Sequence, residues 1–110
     1  MKTNELTGAA LDWAVAKCEG YTGVALQERT GTDWYSPSTD WAQGGPIIER
    51  EQIDLRYWQV AWTAELEHLP DDDDHYRYGK GHGPTPLIAA MRCYVASKLG
   101  DEVEIPEELQ

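Results

Sequence analysis

The chain has 110 residues, of which 41% are apolar, and its 20 acidic residues against 9 basic ones give a net charge of −11. This length fits one domain, 1–110, with a modest core, and the apolar content excludes global disorder. The charge argues against direct binding to nucleic acid, because that affinity comes from neutralising phosphates, and equally against anionic membrane surfaces.

Neither a membrane span nor a secretion signal is visible. No stretch reaches the ~18 apolar residues of a membrane helix, and no apolar signal core follows the first residues. We therefore expect a protein that stays in the cytosol where it is made. Cys18 and Cys93 are then expected as thiols, and each lies in an apolar helical pattern typical of core packing.

Two helices are predicted, at about 7–19 and 86–99. Apolar residues recur at helical spacing in both segments, and Thr7 and Thr85 stand at the N-cap positions. Pro86 suits the first helical position, and Gly100 suits the end of the second helix. After Gly100 an acidic tail begins at about residue 101. We expect Val103 and Ile105 to hold this tail to the domain, with fraying beyond them.

Hairpins are predicted between the helices. The run 24–27 lies between glycines and indicates a short strand, with the return strand opening at Trp34. Alternation over 57–66 indicates a half-buried strand, the aspartates 71–74 an exposed turn, and Tyr76 to Tyr78 the return strand. The glycine-rich segment 79–83 is interpreted as a flexible loop. Two helices packed with a small antiparallel sheet make an α+β sandwich.

The most unusual segment is 36–46, which combines hydroxyls, an acid, a tryptophan and two glycines. Ser36 and Pro37 suit a short helical turn. Gly44 and Gly45 are predicted to end it, and Pro46 to start another. The segment is either a capped connector between short helices or a ligand-facing loop, since functional residues favour loops.

Signals for catalysis are weak, and we predict no catalytic residue, cofactor or metal. The segment 79–83 resembles a phosphate loop only superficially, because Pro86 removes a backbone donor that a phosphate would use. His68, His75 and His82 with the nearby aspartates lack a fixed ligand geometry. Cys93 lies in mid-helix, away from the helix N-terminus that would activate a thiol.

Three segments, 6–17, 35–46 and 85–92, together resemble the NinX-like family of small proteins from the nin region of lambda-like phages and prophages. The order of helix, hydroxyl-rich turn, hairpin and helix is also distantly similar to small phage α-β-α sandwich proteins. The first resemblance implies a non-essential, early-expressed phage protein of the bacterial cytoplasm, and it implies no established activity.

Phages keep such genes to modulate host proteins, to evade host defence or to tune DNA metabolism. Our leading hypothesis is a non-catalytic protein that captures a small ligand, such as a nucleotide-derived immune signal. Aromatic side chains would stack a base, hydroxyls and glycine N–H groups would bind polar atoms, and an arginine would pair with a phosphate. The predicted site comprises Trp34, Tyr35, Ser36, Ser38, Thr39, Asp40, Trp41, Gly44, Gly45 and Arg92.

An acidic protein that docks on a basic host protein, including by DNA mimicry, is the alternative. Glu65, Glu67, the aspartates 71–74 and the tail hold 11 of the 20 acids. Five Trp and six Tyr also exceed what a core of this size hides, and exposed aromatic patches mark interfaces. We therefore expect a homo-oligomer; a monomer in ultracentrifugation would contradict that expectation.

Overall fold

Four helices and one antiparallel sheet make up the computed structural model, which describes residues 1–70 and 75–110. The structure therefore has the predicted α+β class. The two predicted long helices are confirmed, although the Thr7 side chain accepts no capping hydrogen bond at the start of the first. The elements are α1 Gly8–Cys18, α2 Gly23–Arg29, α3 Trp41–Glu51, β1 Asp54–Trp58, β2 Ala61–His68, β3 Arg77–Gly83 and α4 Pro86–Leu99, with 3-10 turns at Thr3–Glu5 and Glu107–Leu109.

The three strands follow one another in the order β1-β2-β3, each antiparallel to the next. Side chains alternate between the two faces of such a sheet. Ala64 and Leu66 of β2 point to the inner face and are buried against α4. Thr63, Glu65 and Glu67 alternate with them and point outward. The sheet therefore has one face in the core and one outer face.

Strand β3 lies where a flexible loop was predicted, so that prediction was wrong. The inward positions of β3 are Gly79, Gly81 and Gly83, and all three are buried. A Cβ atom on Gly81 would lie 2.5 Å from both the Ala89 carbonyl oxygen and the Cys93 nitrogen. The glycines thus allow the strand backbone to approach α4 closely, a use of glycine that composition alone does not separate from flexibility.

The predicted hairpin over 24–35 is also wrong, because residues 24–27 lie in helix α2. A short apolar run does not by itself distinguish a strand from a helix. Local hydrogen bonds decide the outcome here: the Thr30 hydroxyl donates to the Leu26 carbonyl, and the Arg29 guanidinium donates to that of Ala25. The first bond satisfies one of the last four carbonyls, which the end of a helix leaves unpaired, and the second adds a side-chain bond to the same turn.

The break predicted at Gly44 to Pro46 is wrong as well, since α3 continues through all three residues. The Asp40 carboxylate accepts a hydrogen bond from the Ala42 nitrogen and caps the helix, while Ile47 is buried beyond the proline. The predicted strand 57–66 is in fact two strands. They are joined by a turn at Gln59, which has a left-handed φ of 59°, and the highly exposed Val60.

The acidic tail is held against the start of the chain. Val103 and Ile105 are buried as predicted, and Thr3 donates a 2.8 Å backbone hydrogen bond to Asp101. Order extends further than expected, because Glu107–Leu109 forms a 3-10 turn. The aspartates 71–74, predicted to form an exposed turn, lie outside the described residues.

The approach of β3 to α4 generates a stability prediction. Gly81→Ala should lower the free energy of unfolding by about 1–3 kcal/mol, because the new methyl group collides with helix backbone that cannot move aside. Gly45→Ala is the matched control: the nearest atom to its new Cβ is 3.8 Å away, and alanine favours a helix interior by about 1 kcal/mol. Urea denaturation would measure both, and equal stabilities for the two variants would contradict the prediction.

Candidate functional site

The helical turn predicted to begin at Ser36 and Pro37 is present, but it is short and leads into α3 instead of ending at Gly44 and Gly45. We call residues 36–40 the mid-chain turn, and much of its polar chemistry is satisfied internally. The Ser36 carbonyl accepts hydrogen bonds from the backbone nitrogens of Thr39 and Asp40, at 3.1 and 2.9 Å. The Gln43 side chain accepts from the Ser36 nitrogen, and it donates to the Trp34 carbonyl and to Asp40 at 2.9 and 3.0 Å. These donors and acceptors are therefore used within the turn and the start of α3, which leaves fewer of them for a ligand.

Several residues of the turn are packed into the fold. Ser38 is buried, and its nitrogen donates a 2.9 Å hydrogen bond to the Asp12 carboxylate on α1. Burial raises the pKa of Asp12, and the interactions with Ser38 offset part of that rise. Gly44 is buried too, and a Cβ atom there would lie 2.5 Å from the Leu87 side chain. Ser38 and Gly44 therefore connect α1, α3 and α4.

Other predicted residues remain accessible. Trp34 and Trp41 are exposed, and Tyr35 packs edge-on against Tyr21, whose ring lies 3.7 Å from the Arg29 guanidinium. A cleft of about 340 Å³ beside the turn is lined by Gly8, Ala9, Asp12, Gly31, Thr32, Asp33, Tyr35, Ser36 and Thr39. A smaller cleft of about 190 Å³ is lined by Ser38, Thr39, Trp41, Thr85, Leu87 and Ile88. The lining of the larger cleft contains the carboxylates of Asp12 and Asp33, and neither lining contains a cation.

Arg92, predicted to contact a ligand phosphate, does not line either of these clefts. It is buried, and burial lowers its pKa. Its Nε donates to the Leu6 carbonyl at 3.0 Å, and its Nη1 donates to the His82 carbonyl at 2.7 Å. The guanidinium therefore joins α4 to the start of the chain and to β3. The other nine predicted residues, from Trp34 to Gly45, do lie along the turn and the first half of α3.

A partly buried network of charged residues joins the elements on another side. Arg50 pairs with Glu19 at 2.7 Å and with Glu51 at 2.9 Å, and Glu51 also pairs with Arg77. The Tyr94 hydroxyl donates to Glu19 at 2.5 Å. Burial acts to raise the pKa of Glu19 and of Glu51. The hydrogen bonds that these carboxylates accept, from guanidinium groups and in Glu19 also from Tyr94, outweigh burial, so both pKa values are lowered.

A site that the sequence analysis missed lies on the outer face of the sheet. One cleft of about 460 Å³ is lined by Arg56, Trp58, Thr63 and Lys80, one or two residues from each strand. An overlapping cleft of about 360 Å³ adds Asp54, Leu55 and Glu65. We call the residues Arg56, Trp58, Thr63 and Lys80 the outer-face cleft.

The signal for this cleft was present in the sequence as two alternating triplets. Asp54, Arg56 and Trp58 alternate with the inward residues of β1, and Tyr78, Lys80 and His82 alternate with the glycines of β3. Interpreting 79–83 as a loop concealed the second triplet. Interpreting 57–66 as one strand removed the hairpin that brings β1 beside β2.

The remaining reactive groups are occupied or isolated. Cys18 and Cys93 are free and buried, and burial raises the pKa of each thiol to about 12. The His68 Nε2 lies 2.7 Å from the Glu51 carbonyl oxygen, whereas His82 is exposed on the outer face. Within residues 1–70 and 75–110, no three His, Cys, Asp or Glu side chains gather as metal ligands.

No helix in the described ranges is both long and apolar enough to cross a lipid bilayer. The fold thus defines a small α+β protein with helices on one side of a three-stranded sheet and an accessible cleft on the other. A family model described as Bacteriophage P22, NinX matches residues 2–98, and the chain belongs to that family. A comparison with curated proteins found no match.

The charged network predicts a pH-dependent stability. The pKa of Glu51 is lower in the folded protein than its ordinary value of 4.5, so its contribution is complete above that value and is lost as the pH falls through the folded pKa. Glu51→Gln should therefore lower the free energy of unfolding at about pH 7 by roughly 1–3 kcal/mol. The difference from the unsubstituted protein should shrink as the pH falls below 4.5 and through the folded pKa, because the native carboxyl group then becomes protonated as well.

Thermal and urea unfolding across this pH range would measure the effect. Glu104→Gln is the control, because Glu104 is an exposed carboxylate of the tail and should change stability by less than about 0.5 kcal/mol. A destabilisation by Glu51→Gln that is equal at both ends of the pH range would contradict the prediction.

Proposed function

We propose that this phage protein is a non-catalytic accessory protein that binds a small ligand of the host cell and thereby counters a host defence. The observation that carries the proposal is the outer-face cleft, in which an exposed indole, two cations and a hydroxyl line one concave surface. Ligand sites are commonly concave, with a few polar groups that orient the ligand against aromatic surface.

The exposure of Trp58 supports this placement. Its side chain is 69% exposed although it lies within a strand, so it is not required to fill the core. Tryptophan and arginine are enriched among residues that dominate binding energy. An exposed tryptophan beside an arginine on a regular strand is therefore better explained by an external contact than by packing.

The mid-chain turn is the alternative location for the ligand. It is favoured by the cleft of about 340 Å³ between the turn and the start of α1, and by the exposure of Trp34 and Trp41. Its internal hydrogen bonds and acidic lining weigh against an anionic ligand there. A neutral ligand that hydrogen-bonds to hydroxyls would suit this site better.

Native mass spectrometry of the protein isolated from infected cells tests the proposal. We expect a small molecule to remain bound to the unsubstituted chain and to be lost from Trp58→Ala, while Trp41→Ala retains it. Val24→Ala, a change at another highly exposed residue, is the control. If the small molecule is lost only from Trp41→Ala, the site lies at the mid-chain turn. If no sample carries a bound small molecule, ligand binding is contradicted.

A second candidate function, docking on a basic host protein, is favoured by the tail. Five carboxylates are exposed there, at Asp101, Glu102, Glu104, Glu107 and Glu108, and buried Val103 and Ile105 hold the segment in place. An ordered acidic surface can attract a basic partner and fix its orientation.

The tail predicts a strong salt dependence for such a complex. Replacing Glu104, Glu107 and Glu108 by glutamine should slow association with a captured host protein, and raising the salt concentration should reduce the difference between variant and parent. Surface plasmon resonance would measure the rates. An association rate that responds neither to salt nor to the substitutions would exclude this function for the tail.

A further inference from the structure

We infer that the ligand of the outer-face cleft is an aromatic anion of the mononucleotide class, with its phosphate between Arg56 and Lys80 and its base on Trp58. This inference rests on the proposed function, since it names the ligand class for the same cleft. It follows from the charge, spacing and pairing of the four residues.

The two cations of the cleft are the first argument. Arg56 and Lys80 are exposed, and neither forms an ion pair within 4.0 Å with any residue of 1–70 or 75–110. By contrast, Arg50 and Arg77 are both paired with carboxylates. Two cations that share a cleft and have no ion-pair partner in the described part of the chain favour an anion, and a phosphate accepts hydrogen bonds from arginine and lysine together.

The strand register places these cations around one point. Arg56 lies opposite Thr63, and Lys80 lies opposite Glu65, two residues further along β2. Because neighbouring strands are about 4.8 Å apart, the backbones of β1 and β3 are about 10 Å apart. The long side chains of arginine and lysine bridge that gap, so both charged groups reach an anion bound above Thr63, whose hydroxyl supplies a further donor.

Trp58 supplies the aromatic part of the site. It lies two residues from Arg56 on the same side of β1, which corresponds to about 7 Å along the strand. A flat base that stacks on the indole therefore leaves its phosphate near the arginine. Stacking of a base on the indole and hydrogen bonds from the two cations to a phosphate both strengthen binding, so all three side chains should contribute to the affinity.

The acidic surroundings limit the size of the ligand rather than exclude it. Glu65 lines the overlapping cleft, but its carboxylate accepts a 2.7 Å hydrogen bond from the Tyr78 hydroxyl, which draws it toward the tyrosine. Asp54 lies at the far end of β1 from Trp58. The other charges of the chain are screened over about 8 Å at physiological salt. A mononucleotide fits between these limits, whereas a nucleic-acid strand would extend over the acidic surface.

Titrations of the full chain test this inference by calorimetry and by amide NMR. Adenosine monophosphate, adenosine and inorganic phosphate are the probes. We expect adenosine monophosphate to bind most tightly, with shifts confined to β1, β2 and β3. Arg56→Gln and Lys80→Gln should each weaken its binding about tenfold or more. Trp58→Ala should weaken the binding of adenosine monophosphate and of adenosine by about 5-fold or more.

Lys17→Gln is the matched control, because Lys17 also lies near an indole, 5.2 Å from the Trp13 ring, but on α1. It removes the same charge and should leave binding unchanged. All four substituted residues are outside the core, so unchanged amide spectra away from the site would show that each variant is folded. Equal losses in Lys17→Gln and Lys80→Gln would show nonspecific attraction and overturn the inference.

The two proposals fail in different ways. If infected cells yield a bound molecule that depends on Trp58, but adenosine monophosphate binds no better than adenosine or phosphate, the ligand class is wrong and the proposed function stands. If adenosine monophosphate binds the cleft but no cellular molecule is found there, the proposed function is wrong and the assignment of the site stands.

Discussion

The approach of β3 to α4 is the constraint on which the rest of the structure depends. At three alternate positions the strand has no side chain, so its backbone lies directly on the helix, and any larger residue at Gly81 would meet helix backbone. The same alternation directs Tyr78, Lys80 and His82 to the opposite face. One pattern of residues thus closes the core on one side and supplies polar groups to the surface on the other.

The parts of the fold that sequence predicts well are those specified by local chemistry. Helices α1 and α4 combine apolar periodicity with recognisable ends, and in α4 the Thr85 side chain accepts the expected hydrogen bond from the Ile88 nitrogen. Glycine misled the interpretation wherever its role was tertiary. At Gly44 and Gly81 the residue is selected by a neighbouring element that is distant in sequence, and no local rule reports that neighbour.

The candidate site was harder to predict for a related reason. The turn around Ser36 was visible because its residues are contiguous, and the structure confirms that the turn forms. The outer-face cleft draws Arg56, Thr63 and Lys80 from three strands, and it exists only once the register of the sheet is set. Arg92 shows the converse error: its charge suggested a ligand contact, but its guanidinium donates its hydrogen bonds to backbone carbonyls.

Self-association of the protein stays a prediction.

The contacts between residues 1–3 and residues 100–103 affect the order in which the protein folds. The Met1 ammonium donates to the Val103 carbonyl at 2.9 Å, the Thr3 hydroxyl donates to that of Gly100 at 2.6 Å, and Lys2 and Glu102 form a β-bridge. Contacts across such a sequence distance slow folding, because the intervening chain must be ordered first. Val103 and Ile105 belong to the buried core, so that core is complete only when the segment from Gly100 to Ile105 has docked, and α1 gains its principal partner, α4, only once the chain between them is in place.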